Sequence, residues 1–358
     1  MTRSAAQSHG THSFTHAVPC RPTVTDKHAQ TTTHTLLRFI TVYVCTVVIP
    51  IPKPGKDHSD PGNFRPIALT SCLCKTMERM NNARLMWSQE SQGLLSEKQC
   101  GFRKIHSTLD HLVHFETFIR NAFVKKEHVL TIFFDLEKAY DTKGKHGILA
   151  DLWDLGFRGH LPRFIQSFLS ERSFRVRVGS TLSELHEQEM GVPQGSILSP
   201  ALFSIKINNI VKAVLKGIDC SLFVDDFALC VSGKTLNRVE RAMQLCVNSV
   251  QKWVSENGFK FSTSKTVCIH FHQQYGFFPD PNILLGKTPI KVVKEAKFLG
   301  LIFDTKLTFE NHIQYLKTSC QKALDILRVV GHTDWGACLL YTSPSPRDKP
   351  RSRMPSSA

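Results

Sequence analysis

The run Val129–Phe134, ending on Asp135, limits what this chain can fold into more than any other feature. A strand with one face in water alternates apolar and polar residues, and this one does not, so it reads as a buried central strand that delivers a carboxylate at its tip. Such a strand needs cover on both sides. With 358 residues, 41% of them hydrophobic, the chain can supply it, and the length suits two or three subdomains.

Around that strand the pattern alternates between periods. Thr46–Pro52 reads as a strand and Pro52–Asp57 as a basic turn. Leu69–Met86, Ile148–Leu155 and Leu161–Leu169 read as helices, and Phe174–Val178 as a strand lined by Arg175 and Arg177. Ser199 and Pro200 read as the N-cap and first residue of a helix carrying Leu202, Ile205, Ile210 and Val214. Ser221–Val231 reads as two strands meeting at Asp225-Asp226, and the stripe from Leu236 to Val254 as an amphipathic helix closed by Gly258. The whole is an α/β (α+β) arrangement whose sheet carries acids on one edge. Residues 1–45 lack periodicity and read as a disordered lead-in, while 339–358 form a Pro/Ser/Arg tail expected to lie outside the fold.

Lys plus Arg outnumber Asp plus Glu by 45 to 30, a net charge of +15 that favours a polyanionic partner, although the same excess would also keep a protein soluble. The 11 cysteines show no C-x-x-C pair and read as reduced thiols, so no structural metal is assigned. Leu36–Ile51 is too short and carries Arg38, so no membrane span is expected.

Asp135 and Asp225-Asp226 place three acids where apolar neighbours would raise their pKa unless a cation compensates. A divalent site explains this economically: phosphoryl transfer uses hard oxygen ligands for Mg²⁺, and two ions about 3.5–4 Å apart clamp the attacking and leaving oxygens. Taken alone, an Asp-Asp turn is better accounted for by local hydrogen bonding, which acids favour in turns.

In order along the chain, Ile51-Pro52-Lys53-Pro54-Gly55-Lys56, Asn63-Phe64-Arg65-Pro66-Ile67, Phe134-Asp135-Leu136-Glu137-Lys138-Ala139-Tyr140-Asp141, Gly191-Val192-Pro193-Gln194-Gly195-Ser196, Phe223-Val224-Asp225-Asp226, Ser264-Lys265-Thr266 and Lys297-Phe298-Leu299-Gly300 resemble the blocks of reverse transcriptases from non-LTR (LINE-like, jockey-type) retrotransposons. The resemblance covers about residues 46–335. It implies a right-hand polymerase with fingers at 46–128, palm at 129–290, and primer grip with the start of a thumb at 291–338. The implied enzyme is an RNA-directed DNA polymerase working on an RNA template, a DNA primer and dNTPs, with two Mg²⁺ ions (Mn²⁺ as the substitute), in cytoplasm and nucleus. Oligomeric state is left open.

By the same resemblance, Asp135, Asp225, Asp226 and the carbonyl of Leu136 hold the metals, and Lys265 protonates the leaving pyrophosphate or is a surface lysine. Lys53 and Arg65 meet the triphosphate or are solvated cations. Lys138, Ala139 and Tyr140 line the nucleotide, Tyr140 as a steric gate against a ribose 2′-OH or as core; Gln194 and Gly195 bring backbone close to it. Arg172, Arg175 and Arg177 are candidates for template backbone contacts or a solvated strand face.

The chain departs from the family at Phe223 and Val224, where Tyr and Ala are usual, and at Asp141-Thr142-Lys143-Gly144, where a bulky apolar residue is usual. Neither an apurinic-type endonuclease region before the fingers nor an RNase H pattern after the thumb is expected within these residues. A truncated, inactive relic that only binds RNA is the alternative reading.

Overall fold

The computed structural model describes residues 45–331 apart from 104–105, 138–144, 171, 275 and 277, and apart from the side chains at 145 and 146. The expected lead-in, save Cys45, and the expected tail lie outside the described residues, as do Lys138, Ala139 and Tyr140.

Along the chain come β1 (Cys45–Pro52), β2 (Phe64–Leu69), α1 (Cys72–Ser91), α2 (Thr108–Val124), β3 (His128–Phe134), α3 (Lys145–Asp154) and α4 (His160–Leu169). Next are β4 (Ser173–Val178), the short β5 (Thr181–Leu182) and β6 (His186–Glu187), α5 (Leu198–Asn208), β7 (Asp219–Phe223), β8 (Asp226–Gly233) and α6 (Leu236–Glu256). β9 (Val267–Phe271), β10 (Leu284–Leu285), β11 (Thr288–Pro289), β12 (Lys291–Val292), β13 (Glu295–Phe298), β14 (Leu301–Asp304) and α7 (Glu310–Val330) follow. None of the described helices is long and apolar enough to cross a membrane.

Five strands form a central sheet in the order β12-β9-β3-β8-β7. β3 lies in its middle, antiparallel to both neighbours, and all seven of its residues are buried. Its side chains divide by parity, as strand geometry requires. Leu130, Ile132 and Phe134 pack towards α6, against Met243, Val247 and Val250. Val129 and Phe133 face the other way, into a cluster with Phe115 and Ile119 of α2 and Phe298 and Phe303 of the β13–β14 hairpin. Two covered faces are why the sequence shows a run and no alternation. Each such side chain contributes about 1.5–3 kcal/mol by burial, so a charge at Ile132 would break the sheet.

A second, outer sheet has the order β2-β1-β4-β5, with β6 also on β4. Here β2 was not expected, and the helix expected from Leu69 begins only at Cys72. Leu69 pairs with Val47, and Ser71 ends the strand by accepting from the Cys74 N–H at 3.2 Å as the helix cap. Pro66 is tolerated because β2 is an edge strand.

Two further expectations are corrected. The helix entry at Ser199-Pro200 lies earlier: α5 begins at Leu198, and the buried Ser199 hydroxyl donates to the Pro193 carbonyl at 2.8 Å instead of capping. Arg172 is only 3% exposed, lies over the Phe168 ring at 4.8 Å and donates to the Phe168 carbonyl, so it cannot reach a nucleic-acid backbone. Arg175 and Arg177 are exposed on β4. The helix α2 had no counterpart in the periodicity reading.

Candidate active site

The sheet register carries the acids to one place. Phe134 pairs with Phe227 and Phe223 pairs with Asp226, so Asp135 leaves the end of β3 beside the turn that joins β7 to β8. That turn is Val224–Asp225, with Val224 at φ 61°. A β-branched residue is strained there, and something must hold it.

The support comes from a segment the sequence reading passed over. Lys98–Cys100 lies along β7, with Cys100 N–H donating to Leu222 at 3.2 Å and Leu222 N–H to Lys98 at 3.1 Å. From there the wholly buried Gln99 sends its side-chain oxygen to accept from the Val224 N–H at 3.3 Å and the Gly101 N–H at 2.9 Å. Gly101 sits so close that a Cβ would fall 2.4 Å from Val224 Cγ2 and 2.6 Å from its nitrogen. Neither residue belongs to a periodic pattern, and a lone glycine in a loop reads as an ordinary turn; only the close approach reveals the role.

Asp135 is fixed by its backbone as well. Its carbonyl accepts from Ser262 N–H at 2.8 Å, and Leu136 forms a bridge with Phe261. The partner segment thereby brings Lys265 Nζ to 3.0 Å from Asp135 Oδ2. Asp135, Asp226 and Lys265 line a cavity of about 310 Å³ closed by β13, which adds Glu295, Lys297 and Phe298. Lys297 was expected near a primer end; Glu295 was not singled out.

Burial, with the neighbouring Asp135 charge added, raises the Asp225 carboxyl above the ordinary range. Asp226 is pushed up to about 6, by burial first and then by Asp225 and Asp135. Both carboxylates still reach solvent at the turn. The charges therefore oppose one another without a compensating cation, while Lys265 takes up Asp135. Among the described residues no three His, Cys, Asp or Glu side chains are gathered into a closed cage for an ion.

Residues 51–303 match the family of reverse transcriptases (RNA-dependent DNA polymerases). The chain belongs to this family. Relatives are the RNA-directed DNA polymerases from mobile element jockey of Drosophila funebris, 30% identical over 278 residues (76% of this chain, 30% of that protein), and of Drosophila melanogaster, 29% identical over 272 residues (74% and 29%). This chain spans about three tenths of their length. Among solved structures, apo telomerase from Candida tropicalis, truncated of its C-terminal domain, aligns at TM-score 0.49 and 15% identity over 75% of this chain and 55% of that one.

In this reverse transcriptase domain the remaining site candidates lie on the outer sheet. Arg65 is exposed on β2 opposite Ile51, and Lys53 follows β1, its Nζ donating to the Gly62 carbonyl at 2.9 Å. Gln194 and Gly195 lean on the same strand: Ala68 N–H donates to the Gln194 carbonyl at 2.7 Å. Gly195 has φ +114°, and a Cβ there would stand 2.6 Å from the Ala68 carbonyl oxygen. The sequence joins Arg65 and Gln194 only through a family resemblance; in the structure β2 carries Arg65 and its Ala68 amide holds the Gln194 loop.

Proposed function

We propose that this chain carries the polymerase centre of a non-LTR retrotransposon reverse transcriptase, joining a dNTP to the 3′-hydroxyl of a DNA primer on an RNA template. The observation that supports it most is the convergence of Asp135 and the Asp225-Asp226 turn at one end of the central sheet, over a cavity that also holds Lys265.

The donor set fits Mg²⁺. An ion held by one or two carboxylates with the rest of its shell from phosphates needs no closed protein cage, and the raised Asp225 and Asp226 carboxyls show where positive charge is wanting. Bound there by Asp135, Asp225, Asp226 and the Leu136 carbonyl, it would polarise the reacting phosphate and lower the pKa of the primer hydroxyl.

The chain's own residues do the rest. Lys265 pairs with Asp135 at 3.0 Å, and from that position its ammonium would be within reach to hand a proton to the leaving pyrophosphate. Arg65 and Lys53 attract the triphosphate from the outer sheet. Arg175 and Arg177 face the template backbone, and Gln194-Gly195 presents main chain to the nucleotide. Tyr140 remains the proposed gate against ribonucleotides.

The test is Mg²⁺-dependent dTTP incorporation on primed poly(rA) by the whole chain and its Asp225→Ala variant. Incorporation that vanishes in the variant supports the reading; a folded parent that binds RNA and incorporates nothing overturns it in favour of an inactive relic.

A further inference from the structure

We propose that Glu78, on α1, is a positioning residue for the Gln194-Gly195 loop, setting where its backbone meets the incoming nucleotide. The proposal rests on the reading above of that loop as nucleotide-facing.

Glu78 is 0% exposed, and a carboxylate so buried is costly unless it is fully engaged. One oxygen, Oε1, accepts from Cys74 Sγ at 3.6 Å and the buried Arg172 lies near enough to interact electrostatically, while the other oxygen engages a distant segment. A single oxygen, Oε2, accepts from Ser196 Oγ at 2.6 Å, Ile197 N–H at 2.7 Å and Leu198 N–H at 3.4 Å. These groups form the entry to α5, whose own N-cap residue, Ile197, offers no side-chain acceptor. Glu78 therefore caps α5 from another helix, taking the Ile197 amide alone and sharing the Leu198 amide with Ser196 Oγ, which accepts from it at 3.2 Å.

The consequence is a loop clamped on both sides. Ala68 of β2 holds Gln194 by its carbonyl and presses on Gly195, while Glu78 holds Ser196 and Ile197 immediately after. The Gln194-Gly195 turn is thereby fixed from both ends, and with it the main chain it can present to a ligand. A helix N-terminus is otherwise a ready phosphate site, and here a carboxylate fills it. Triphosphate is thus turned away from α5 and left to Lys53 and Arg65, and the loop contributes shape and main-chain contact.

The experiment measures, on the full chain and its Glu78→Gln, Glu78→Ala and Ser196→Ala variants, amide exchange at Ile197 and Leu198 and steady-state dTTP incorporation on primed poly(rA). Exchange at these two amides should rise about tenfold or more in Glu78→Ala, less in Glu78→Gln, which keeps one acceptor, with Phe227–Val231 unchanged. The dTTP KM should rise about tenfold in Glu78→Ala with kcat within about twofold, Glu78→Gln and Ser196→Ala lying between, and the primer–template KM unmoved. Unchanged exchange at Ile197 and Leu198 in a folded Glu78→Gln protein overturns the proposal, as does a fall in kcat with no rise in dTTP KM. If Glu78→Ala does not fold, Glu78→Gln and Ser196→Ala decide by the same measures. Should the parent incorporate nothing, the polymerase reading falls while exchange still judges the clamp.

Discussion

The central and outer sheets solve opposite problems. In the central sheet β3 is covered on both faces and its end is pinned by neighbouring backbone, so Asp135 and Asp225-Asp226 are held by the fold itself. The outer sheet has an edge strand, β2, with Arg65 exposed, and fixes only backbone, through Ala68, while leaving its cations in water. In the proposed function, chemistry that tolerates little displacement belongs to the first, and capture of a flexible anion to the second. Substitutions in the central sheet should therefore disturb catalysis or folding, and those on the outer sheet binding alone.

The largest expected effect is at the acids. Asp225→Ala should lower incorporation by about 10³-fold or more while leaving the unfolding midpoint equal or higher, because a carboxyl raised by burial and like charge is a stability cost in the metal-free protein. A variant that unfolds would break the comparison, showing that the acid also supports the sheet.

Next comes Gly101→Ala. The added Cβ meets Val224 backbone at 2.6 Å, so the turn must move, at about 2–3 kcal/mol of stability and about a hundredfold in kcat. Urea unfolding and single-turnover incorporation measure the two losses; wild-type values for both would remove the Gln99–Gly101 segment from the account.

The far end of the central sheet gives a smaller effect, read through pH. His128, His270 and His272 cluster there with Phe278, and His128 Nδ1 lies 3.0 Å from His270 Nε2. Burial, then His272 and His128, pushes His270 down to about 4. The folded chain thus binds fewer protons than the unfolded one, and the stability present above about pH 6.5 is lost as pH falls towards 4. Urea midpoints from pH 7 to 4.5 should show the parent losing about 2 kcal/mol that His270→Gln retains. At the other end the sign reverses: Asp226, raised to about 6, withdraws stability as pH rises through that value.

Smallest is Arg65→Ala, expected to raise the dTTP KM about three- to tenfold and to shift stability by less than about 0.5 kcal/mol. A large loss of stability would show that the outer sheet is not the permissive surface described.

Much of this was legible in the sequence for a physical reason. Val129–Phe134 is apolar along its whole length and ends at Asp135, and the α6 stripe keeps one helical period from Leu236 to Val254. The edge strand β2 was not, since Pro66 and Arg65 mask a strand that uses only one ladder and shows one face to water. The start of α5 was misplaced because its cap comes from Glu78, 118 residues earlier. Gln99 and Gly101 were silent because a buried amide and a missing Cβ acquire meaning only against Val224.

The central claim is that the acids at the end of β3 and at the β7–β8 turn form one divalent-cation site. Mn²⁺ titration of the whole chain with dTTP present, followed by loss of the free-ion spin-resonance signal, tests it directly. The account predicts binding by the parent that falls at least about tenfold in Asp135→Asn and in Asp225→Asn alike, and undiminished binding in either folded variant would contradict it.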